Sequence, residues 1–253
     1  MTPLSSELAG EVAVVTGAAQ GIGASIARKF AEHGAQVAVA DRQFERAQIV
    51  AAEIVTSGGT AQAFEVDISK PASLNAARDA IHAAFGLVSV LVNNAAVIPF
   101  QEFLSVTWDD WDHAIKNNLS GTFYCSRVFL DDMLELKRGS IIIMSSVNGL
   151  RAQTGLSAYN VTKAGLIMLA QTMAVELAQR NIRVNAIAPG DIATQVIENV
   201  SDEDQALRNI PLRRWGKPDE VAETALFLAS TRSAYTTGSV ITCDGGLAAQ
   251  LYP

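Results

Sequence analysis

Short apolar runs alternate with longer amphipathic stretches along the whole chain. Val12–Val15 is apolar at every position, as expected of a strand that is covered on both faces of a parallel sheet. Similar runs recur, and the pattern predicts seven strands in total. They are Val12–Val15, Gln36–Ala40, Ala61–Val66, Val88–Val92, Ile141–Met144, Ile182–Ile187 and Val240–Thr242. The third of these is the weakest signal, because its apolar positions alternate with polar ones.

Stretches with helical periodicity fill most of the gaps between the predicted strands. Helices are predicted over Ile22–His33 and Phe44–Val55, and another begins near Lys217, where Pro218 suits the first helical turn. Strands that alternate with helices predict a parallel, doubly wound sheet with right-handed crossovers and helices on both faces. No linker or low-complexity stretch interrupts the pattern. We therefore expect residues 1–253 to form a single Rossmann-type α/β domain.

Composition and charge argue against several classes of function. The net charge of -7 and the pI of about 5.0, without a basic stripe, make nucleic acid an unexpected partner. A signal-peptide pattern is lacking, and no apolar run reaches the roughly 18 to 20 residues that a membrane span needs. A cytoplasmic protein without a membrane partner is therefore expected. The two cysteines and three histidines have no metal-ligand spacing, so no metal site is expected, and each histidine should lie on or near a helix surface.

A glycine-rich segment follows the first predicted strand directly. It is Thr16-Gly17-Ala18-Ala19-Gln20-Gly21-Ile22-Gly23. A strand, a tight glycine turn and a helix N-terminus together form an anion site, where main-chain amides approach a pyrophosphate and the helix dipole favours its charge. The spacing differs from the general G-x-G-x-x-G fingerprint, and glycines also close turns for structural reasons alone. The position after the first strand is what favours a dinucleotide site.

Asp41 ends the second predicted strand, 18 residues after Gly23. An acid at an offset of about 20 residues accepts hydrogen bonds from a ribose diol. A carboxylate there repels a 2′-phosphate, and the glycine loop itself contains no cation, so NAD is favoured over NADP. Arg42 argues the other way, because its guanidinium could pair with a phosphate if Asp41 turned away. Asp41 could also be a turn residue that caps the next helix.

Ser146, Tyr159 and Lys163 form the third informative pattern. If Tyr159 opens a helix, Lys163 lies on the same face, about 6 Å further along the axis. A phenol is a poor base near pH 7 because its reference pKa is about 10. A nearby cation favours the phenolate and lowers that pKa. Ser146 can offer a hydroxyl to the same substrate oxygen, so the three residues predict proton transfer at a carbinol or carbonyl oxygen.

Taken together, these motifs resemble the short-chain dehydrogenase/reductase (SDR) family, from the T-G-x-x-x-G-I-G loop to Asp244-Gly245-Gly246. The resemblance implies that Tyr159 is the general acid/base and that Ser146 positions the substrate oxygen. It also implies that Lys163 binds the nicotinamide ribose and lowers the pKa of the tyrosine. In Lys116-Asn117-Asn118, Asn118 matches the asparagine that orders a water between the lysine and solvent, with Asn117 as the alternative register.

Further cofactor contacts are implied by the same resemblance. Asp67 matches the acid that contacts adenine, and the family's N-N-A-G appears here as Asn93-Asn94-Ala95-Ala96, with alanine in place of glycine. The two asparagines could equally cap the end of their strand. The segment from Pro189 to Thr194 matches the one that contacts the nicotinamide amide. The expected cofactor-binding residues are Gly17, Gln20, Gly21, Ile22, Gly23, Asp41, Arg42, Asp67, Ile68, Asn93, Ala95, Tyr159, Lys163, Pro189, Ile192 and Thr194.

These observations predict an NAD(H)-dependent oxidoreductase that interconverts a secondary alcohol and a ketone. Loops at 97–103, 147–154 and 191–210 should border the substrate pocket, the last within a substrate loop of about 190–215. Their polar members, Asn148, Arg151, Gln153 and Asp191, favour a small polyol or sugar-type alcohol, with Ser146, Asn148 and Tyr159 in contact with it. Apolar residues in or next to these loops suit a 3-oxoacyl thioester (acyl-carrier-protein) reductase or a steroid-type ketone reductase instead; they are Val97, Ile98, Phe100, Leu150 and Leu156.

A rival class of protein is compatible with the same fold. A catalytically silent NAD-binding regulatory protein could share it, although such proteins commonly lose the tyrosine or the lysine, and both are present here.

One predicted helix suggests a subunit interface. Ala164–Ala170 is apolar all around this helix, and a helix of that kind is normally buried. A subunit interface would bury it. Because homotetramers are common in the SDR family, we expect a homo-oligomer, with a tetramer favoured and a dimer also compatible.

Overall fold

A seven-stranded parallel sheet forms the centre of the molecule, in the order β3-β2-β1-β4-β5-β6-β7. The computed structural model describes residues 6–194 and 207–250. The strands are β1 (Val12–Thr16), β2 (Gln36–Asp41), β3 (Thr60–Glu65), β4 (Val90–Asn93), β5 (Gly139–Met144), β6 (Ile182–Pro189) and β7 (Val240–Cys243). The predicted doubly wound α/β sheet is confirmed, with each boundary within two residues of its predicted position.

Helices cover both faces of the sheet. They are α1 (Gly21–Glu32), α2 (Phe44–Thr56), α3 (Pro71–Phe85), α4 (Trp108–Ala114), α5 (Gly121–Leu136), α6 (Ser157–Leu177) and α7 (Pro218–Ala229). A π-helical segment, Ile115–Ser120, joins α4 to α5, and a 3₁₀ turn, Val147–Gly149, follows β5.

Two hydrophobic cores lie on opposite sides of the sheet. One contains α1, α2 and α7 with Phe30 at its centre, and the other contains α3, α5 and α6 with Phe129. Alternate residues of β1 enter the two cores: Ala13 and Val15 the first, and Val12 and Val14 the second. This explains the continuous apolar run, because successive side chains of a strand point to opposite faces. Burial of each large apolar side chain contributes about 1.5–3 kcal/mol.

The order of the strands reverses between β1 and β4, which creates a crevice at their carboxyl ends. In open α/β sheets, ligands bind at such a topological switch point. The ends of β1, β4, β5 and β6 all lie at this edge, so the residues that follow them are brought together although they are far apart in sequence.

Helix α6, with the short turn that follows it, is an exception to the predicted lack of long apolar segments. By length and composition alone, Ser157–Arg180 could cross a membrane. Counting uninterrupted apolar runs misses it because polar residues such as Thr162 and Lys163 break the run. In this fold both of those side chains are buried, and the helix packs along β6 and β5. We therefore interpret α6 as a layer of the α/β fold.

His82 has a specific partner that the sequence did not indicate. Its Nε2 atom lies 2.7 Å from Oδ2 of Asp132, and the main-chain N–H of Val88 donates to the same oxygen at 3.0 Å. Asp132 is only 3% exposed. The contact joins α3, α5 and the segment just before β4. His82, which the sequence placed on or near a helix surface, therefore helps to hold these elements together.

Candidate active site

The glycine loop between β1 and α1 leaves no space for a side chain at Gly17 or Gly23. Gly17 and Gly21 have φ of 65° and 55°, a conformation that favours glycine. A Cβ atom on Gly17 would lie 2.8 Å from Cα of Ala95, and one on Gly23 would lie 2.6 Å from Nδ2 of Asn94. The first turn of α1 contains no acidic residue. A close main-chain cradle at a helix N-terminus is what a pyrophosphate needs, so these residues fit a dinucleotide.

Asn94 fastens this loop to the end of β4. Its Nδ2 donates to the carbonyl oxygens of Thr16 and Gly17, both at 3.0 Å. In the reverse direction, Oγ1 of Thr16 accepts from the main-chain N–H groups of Asn94 and Ala95 at 3.0 and 3.1 Å. The neighbouring Asn93 differs, because its amide donates to Ser126 at 3.0 Å and is turned towards α5. A cofactor contact from Asn93 is therefore available only from its main chain.

Asp41 performs a structural role at the loop as well. Its Oδ2 accepts from the main-chain N–H of Ala19 at 3.0 Å, and its Oδ1 accepts from that of Gln43 at 2.9 Å. The residue is 7% exposed. The carboxylate therefore stabilises the start of α2, as one interpretation of the sequence expected, and its contact with a ribose diol stays a prediction.

The glycine loop itself contains no cation, but one from another segment lies beside it. Nη1 of Arg46, on α2, donates to Oε1 of Gln20 at 2.8 Å. Arg42 is also exposed in this region. Arg46 is 26 positions from Gln20, so only the packing of α2 against β2 and α1 reveals the contact. The absence of a cation within the loop therefore does not by itself favour NAD.

Asp67 and Ile68 follow β3 at the same edge of the sheet. Oδ1 of Asp67 accepts from the main chain and the hydroxyl of Ser69 at 3.0 and 2.7 Å, and Oδ2 pairs with Lys70 at 2.8 Å. Lys70, with help from Ser69, lowers the pKa of Asp67 to about 2. Asp67 is therefore an anion at neutral pH whose oxygens are already partly engaged, while Ile68 is buried.

The segment after β6 returns to the glycine loop. Pro189 is the last residue of β6, and Ile192 is 6% exposed and forms a parallel bridge with Gly216. The methyl group of Thr194 lies 3.4 Å from the position of a Cβ atom on Gly21. Pro189, Ile192 and Thr194 thus border the cleft opposite the pyrophosphate cradle.

The predicted substrate loop, about 190–215, is described in part, since 195–206 lie outside the described residues. Described residues of this loop, among them Asp191, Ile210 and Leu212, line one side of a cavity of about 630 Å³, and Asp244 also contributes to its lining. Ser146, Tyr159 and Lys163 do not line this cavity. We therefore assign it no part in the proton transfer.

Ser146, Tyr159 and Lys163 meet at the carboxyl end of β5. Ser146 is 9% exposed, and its Oγ accepts from the main-chain N–H of Asn148 at 3.1 Å. Tyr159 lies in the first turn of α6, and Nζ of Lys163 lies 5.3 Å from the centre of its ring. The four-residue spacing thus puts the phenol and the ammonium on one helix face.

Burial controls the protonation of this group. It raises the pKa of Tyr159 to about 12, against the lowering effect of a hydrogen bond with Ser146. It also lowers the pKa of Lys163 to about 8. The sequence argument expected the ammonium to lower the pKa of the phenol. Here that expectation is wrong: loss of solvation raises the pKa of the phenol, and Lys163 donates instead to the carbonyl oxygen of Met144 at 2.8 Å.

Asn118 joins the group from the π-helical segment. It is fully buried; its Oδ1 accepts from the main-chain N–H of Val97 at 2.8 Å, and its Nδ2 donates to the carbonyl oxygen of Val97 at 2.9 Å. The same Nδ2 donates to Thr162, next to Lys163, at 3.3 Å. Asn117, the alternative register, donates instead to the carbonyl oxygen of His113 at the surface. Asn118 is therefore the asparagine that faces α6.

The 3₁₀ turn after β5 packs tightly against α6. Just before this turn, Oγ of Ser145 donates to the carbonyl oxygen of Lys163 at 2.8 Å. A Cβ atom on Gly149 would lie 2.7 Å from the same carbonyl group. Neither contact has a local sequence signal, because the partners are more than ten residues apart. Together they fix Ser146 relative to the helix that carries Tyr159.

This geometry defines a class of enzyme, namely oxidoreductases that bind a nicotinamide dinucleotide and exchange a proton next to it. Comparison with known proteins agrees. A family model described as enoyl-(acyl carrier protein) reductase matches residues 17–248. The chain belongs to the short-chain dehydrogenase/reductase family, as the sequence resemblance predicted, and it is an oxidoreductase.

Individual relatives extend over nearly the full chain. A 3-oxoacyl-(acyl-carrier-protein) reductase, FabG, of Aquifex aeolicus is 39% identical over 95% of this chain and 98% of its own length. The oxidoreductase UcpA of Escherichia coli is 40% identical over 95% of both chains. The crystal structure of a gluconate 5-dehydrogenase from Burkholderia cenocepacia, in complex with NADP and tartrate, superposes with a TM-score of 0.93 at 31% identity, and covers 98% of this chain and 99% of that one.

Proposed function

We propose that the protein interconverts a secondary alcohol and a ketone, and that its substrate is a small polyol or sugar-type alcohol. The observation that carries the proposal is the meeting of Ser146, Tyr159 and Lys163 beside the glycine cradle. A hydroxyl, a phenol and an ammonium at the mouth of a dinucleotide cleft can handle the proton of a carbinol. A catalytically silent regulatory protein would be favoured if the tyrosine or the lysine were missing, but both Tyr159 and Lys163 are present.

Each residue has a distinct role in this mechanism. In the oxidative direction the Tyr159 phenolate removes the hydroxyl proton of the substrate. Ser146 donates to the oxygen, and this bond strengthens as negative charge develops there, which is the differential stabilisation that catalysis requires. Lys163 is positively charged at pH values below its pKa of about 8, and it would bind the ribose of the cofactor. The nicotinamide, when bound, supplies the hydride acceptor or donor.

The raised pKa of Tyr159 also suits the reductive direction. Because its pKa is about 12, the phenol is protonated at neutral pH. In that form it can donate a proton to the oxygen of a ketone. Oxidation requires the phenolate and is therefore expected to be faster at alkaline pH.

For the coenzyme, we propose NAD. The main chain at Gly17, Gly21 and Gly23 would hold the pyrophosphate, and Asp41 would accept from the adenosine ribose. The carboxylate of Asp41, fixed by two main-chain N–H groups, would repel a 2′-phosphate. Arg42 and Arg46 lie nearby, and the gluconate 5-dehydrogenase was crystallised with NADP, so NADP is the alternative to be measured.

The polyol proposal is supported by the polar loop after Ser146 and by the similarity to the gluconate 5-dehydrogenase. A second candidate, the reduction of a 3-oxoacyl thioester, is favoured by the similarity to the Aquifex FabG and by apolar residues around the site. Ile98 is 45% exposed, Phe100 70% and Leu150 45%, so an apolar chain would find partners there.

One assay separates the two candidates. The purified protein is given polyols, sugar alcohols and cyclic alcohols with NAD or NADP, and 3-oxoacyl thioesters with NADH or NADPH, while absorbance of the reduced coenzyme is followed. Oxidation of polyols as the most efficient reaction supports the proposal, and efficient reduction of the thioesters alone overturns it. Tyr159→Phe should lose turnover by about 10²–10⁴-fold while it retains coenzyme binding. Unchanged activity of this variant would remove Tyr159 from the mechanism.

We also propose that the protein is a cytoplasmic homo-oligomer, with a tetramer favoured over a dimer. Helix α6 exposes Val161, Met168 and Val175 at 49%, 62% and 81%. Met168→Lys with Val175→Lys should yield a smaller species in light scattering coupled to size-exclusion chromatography. Ile49→Lys, at an exposed apolar position on α2, is the matched control and should leave the mass unchanged.

A further inference from the structure

The loop between Ser146 and Tyr159 holds two carboxamides that bond to each other. Nδ2 of Asn148 donates to Oε1 of Gln153 at 3.1 Å. Oδ1 of Asn148 and Nε2 of Gln153 have no hydrogen-bond partner among residues 6–194 and 207–250. Whichever amide donates, a bonded pair of this kind leaves one carbonyl oxygen and one NH₂ group free. Asn148 is half-buried and Gln153 is exposed, so a ligand can reach these groups.

Both amides are fixed relative to the proposed catalytic residues. The main-chain N–H of Asn148 donates to Oγ of Ser146 at 3.1 Å. The main-chain carbonyl of Gln153 accepts from Nδ2 of Asn160 at 2.9 Å, and Asn160 follows Tyr159 on α6. Oδ1 of Asn160 is buried without a hydrogen-bond partner in the described part of the chain, so this side chain is held in position although one of its polar atoms is unsatisfied.

The rest of the loop is also braced. Gly149 packs against the main chain of Lys163, and Arg151 donates to the carbonyl oxygen of Gln250 at 2.6 Å. The loop is therefore held at both ends and in its middle. A pair of free polar groups on a braced loop is preorganised, which lowers the entropic cost of binding a ligand.

We propose that Asn148 and Gln153 form a subsite that recognises a second hydroxyl group of the substrate, close to the carbinol that reacts. This inference rests on the function proposed above. A hydroxyl both donates and accepts, so it can satisfy the free oxygen and the free NH₂ group together. A carboxylate or a thioester carbonyl only accepts and would leave the amide oxygen unpaired. The chemical class selected is therefore a secondary alcohol with a neighbouring hydroxyl.

The test compares butane-2,3-diol with butan-2-ol as substrates of the full-length protein. Asn148→Ala and Gln153→Ala should each lower kcat/KM for the diol about 10- to 50-fold more than kcat/KM for butan-2-ol, because each change removes one hydrogen bond to the second hydroxyl and leaves its partner unpaired. The double variant should lose little more than either single variant, because both amides serve one hydroxyl. Gln179→Ala, an exposed glutamine remote from the site, is the control.

A further variant separates recognition from simple bracing. Gln153→Glu keeps the length of the side chain and an oxygen for Asn148, but it removes the NH₂ group. We expect it to lose the preference for the diol as Gln153→Ala does. Equal losses for the diol and the mono-alcohol, or a preserved preference in Gln153→Glu, would overturn the subsite and leave the proposed function intact. A wild-type protein that oxidises neither alcohol but reduces thioesters would overturn both.

Discussion

The ammonium of Lys163 donates a hydrogen bond to the main-chain carbonyl of Met144 at 2.8 Å. Met144 ends β5 and Lys163 lies on α6, so one bond joins the strand that leads to Ser146 with the helix that carries Tyr159. The lysine is 3% exposed, and burial lowers its pKa to about 8. The protonation of Lys163 is therefore expected to affect both the chemistry of the site and the free energy of unfolding.

The first prediction concerns stability and pH. Between pH 8 and the reference value of 10.5, the unfolded chain binds more protons at Lys163 than the folded chain does. The free energy of unfolding should therefore rise with pH in this window, by up to about 3 kcal/mol from this group. Lys163→Met should remove that rise. Urea denaturation of both proteins across the window measures it, and parallel curves would contradict the burial effect.

The second prediction concerns the choice of coenzyme. Asp41→Asn removes the charge that would repel a 2′-phosphate and leaves one of the two main-chain N–H groups without its acceptor. The ratio of kcat/KM with NAD to that with NADP should fall about 10- to 100-fold, or about 1.4–2.7 kcal/mol. Glu45→Gln, an exposed acid on α2, is the charge-matched control. An unaltered ratio would contradict the role of Asp41 in coenzyme choice. In that case Arg42→Ala and Arg46→Ala would test whether either arginine determines the preference between NAD and NADP.

The third prediction concerns the glycine cradle. A methyl group in Gly23→Ala would meet the carbonyl oxygen of Gly17 and lie 2.6 Å from Nδ2 of Asn94. Main-chain atoms cannot move aside without displacing the loop, so dinucleotide binding should weaken at least about 100-fold, with a loss of about 1–3 kcal/mol in stability from overpacking. Calorimetric titration with NADH gives the affinity. Gly165→Ala is the control, because its new methyl group would face only the flexible side chain of Leu119 at 3.2 Å; similar losses in both variants would refute the cradle.

The fourth prediction concerns Asn118. Asn118→Leu leaves the main-chain N–H and carbonyl of Val97 without their partners. An unsatisfied buried group costs about 1–3 kcal/mol, so the variant should lose about 2–4 kcal/mol of stability as well as most of its turnover. Denaturation and steady-state assays report both quantities. Asn117→Ala, at the surface one position away, should change neither by a large amount, and a comparable effect from it would reverse the assignment.

Local patterns in the sequence were sufficient for the architecture. The continuous apolar run of β1 predicted a strand between two cores, and its side chains do alternate between them. The spacing of Tyr159 and Lys163 predicted a shared helix face because the helical period fixes neighbours four residues apart. The glycine loop was located from its place between a strand and a helix. Each of these depends on backbone periodicity within a few residues, which the order of amino acids encodes directly.

Other features depend on contacts between distant segments, and only the tertiary structure decided them. Asn94 rather than Asn93 holds the glycine loop, 77 positions from Gly17, because successive side chains of an extended chain point in opposite directions and only the folded sheet shows which one meets the loop. Arg46 reaches Gln20 only because α2 packs beside the loop. The pKa of Tyr159 rises because the phenol is buried, and a spacing of four residues does not specify burial. Sequence periodicity thus determined which elements form, whereas solvation and long-range packing determined the chemistry of the groups that those elements bring together.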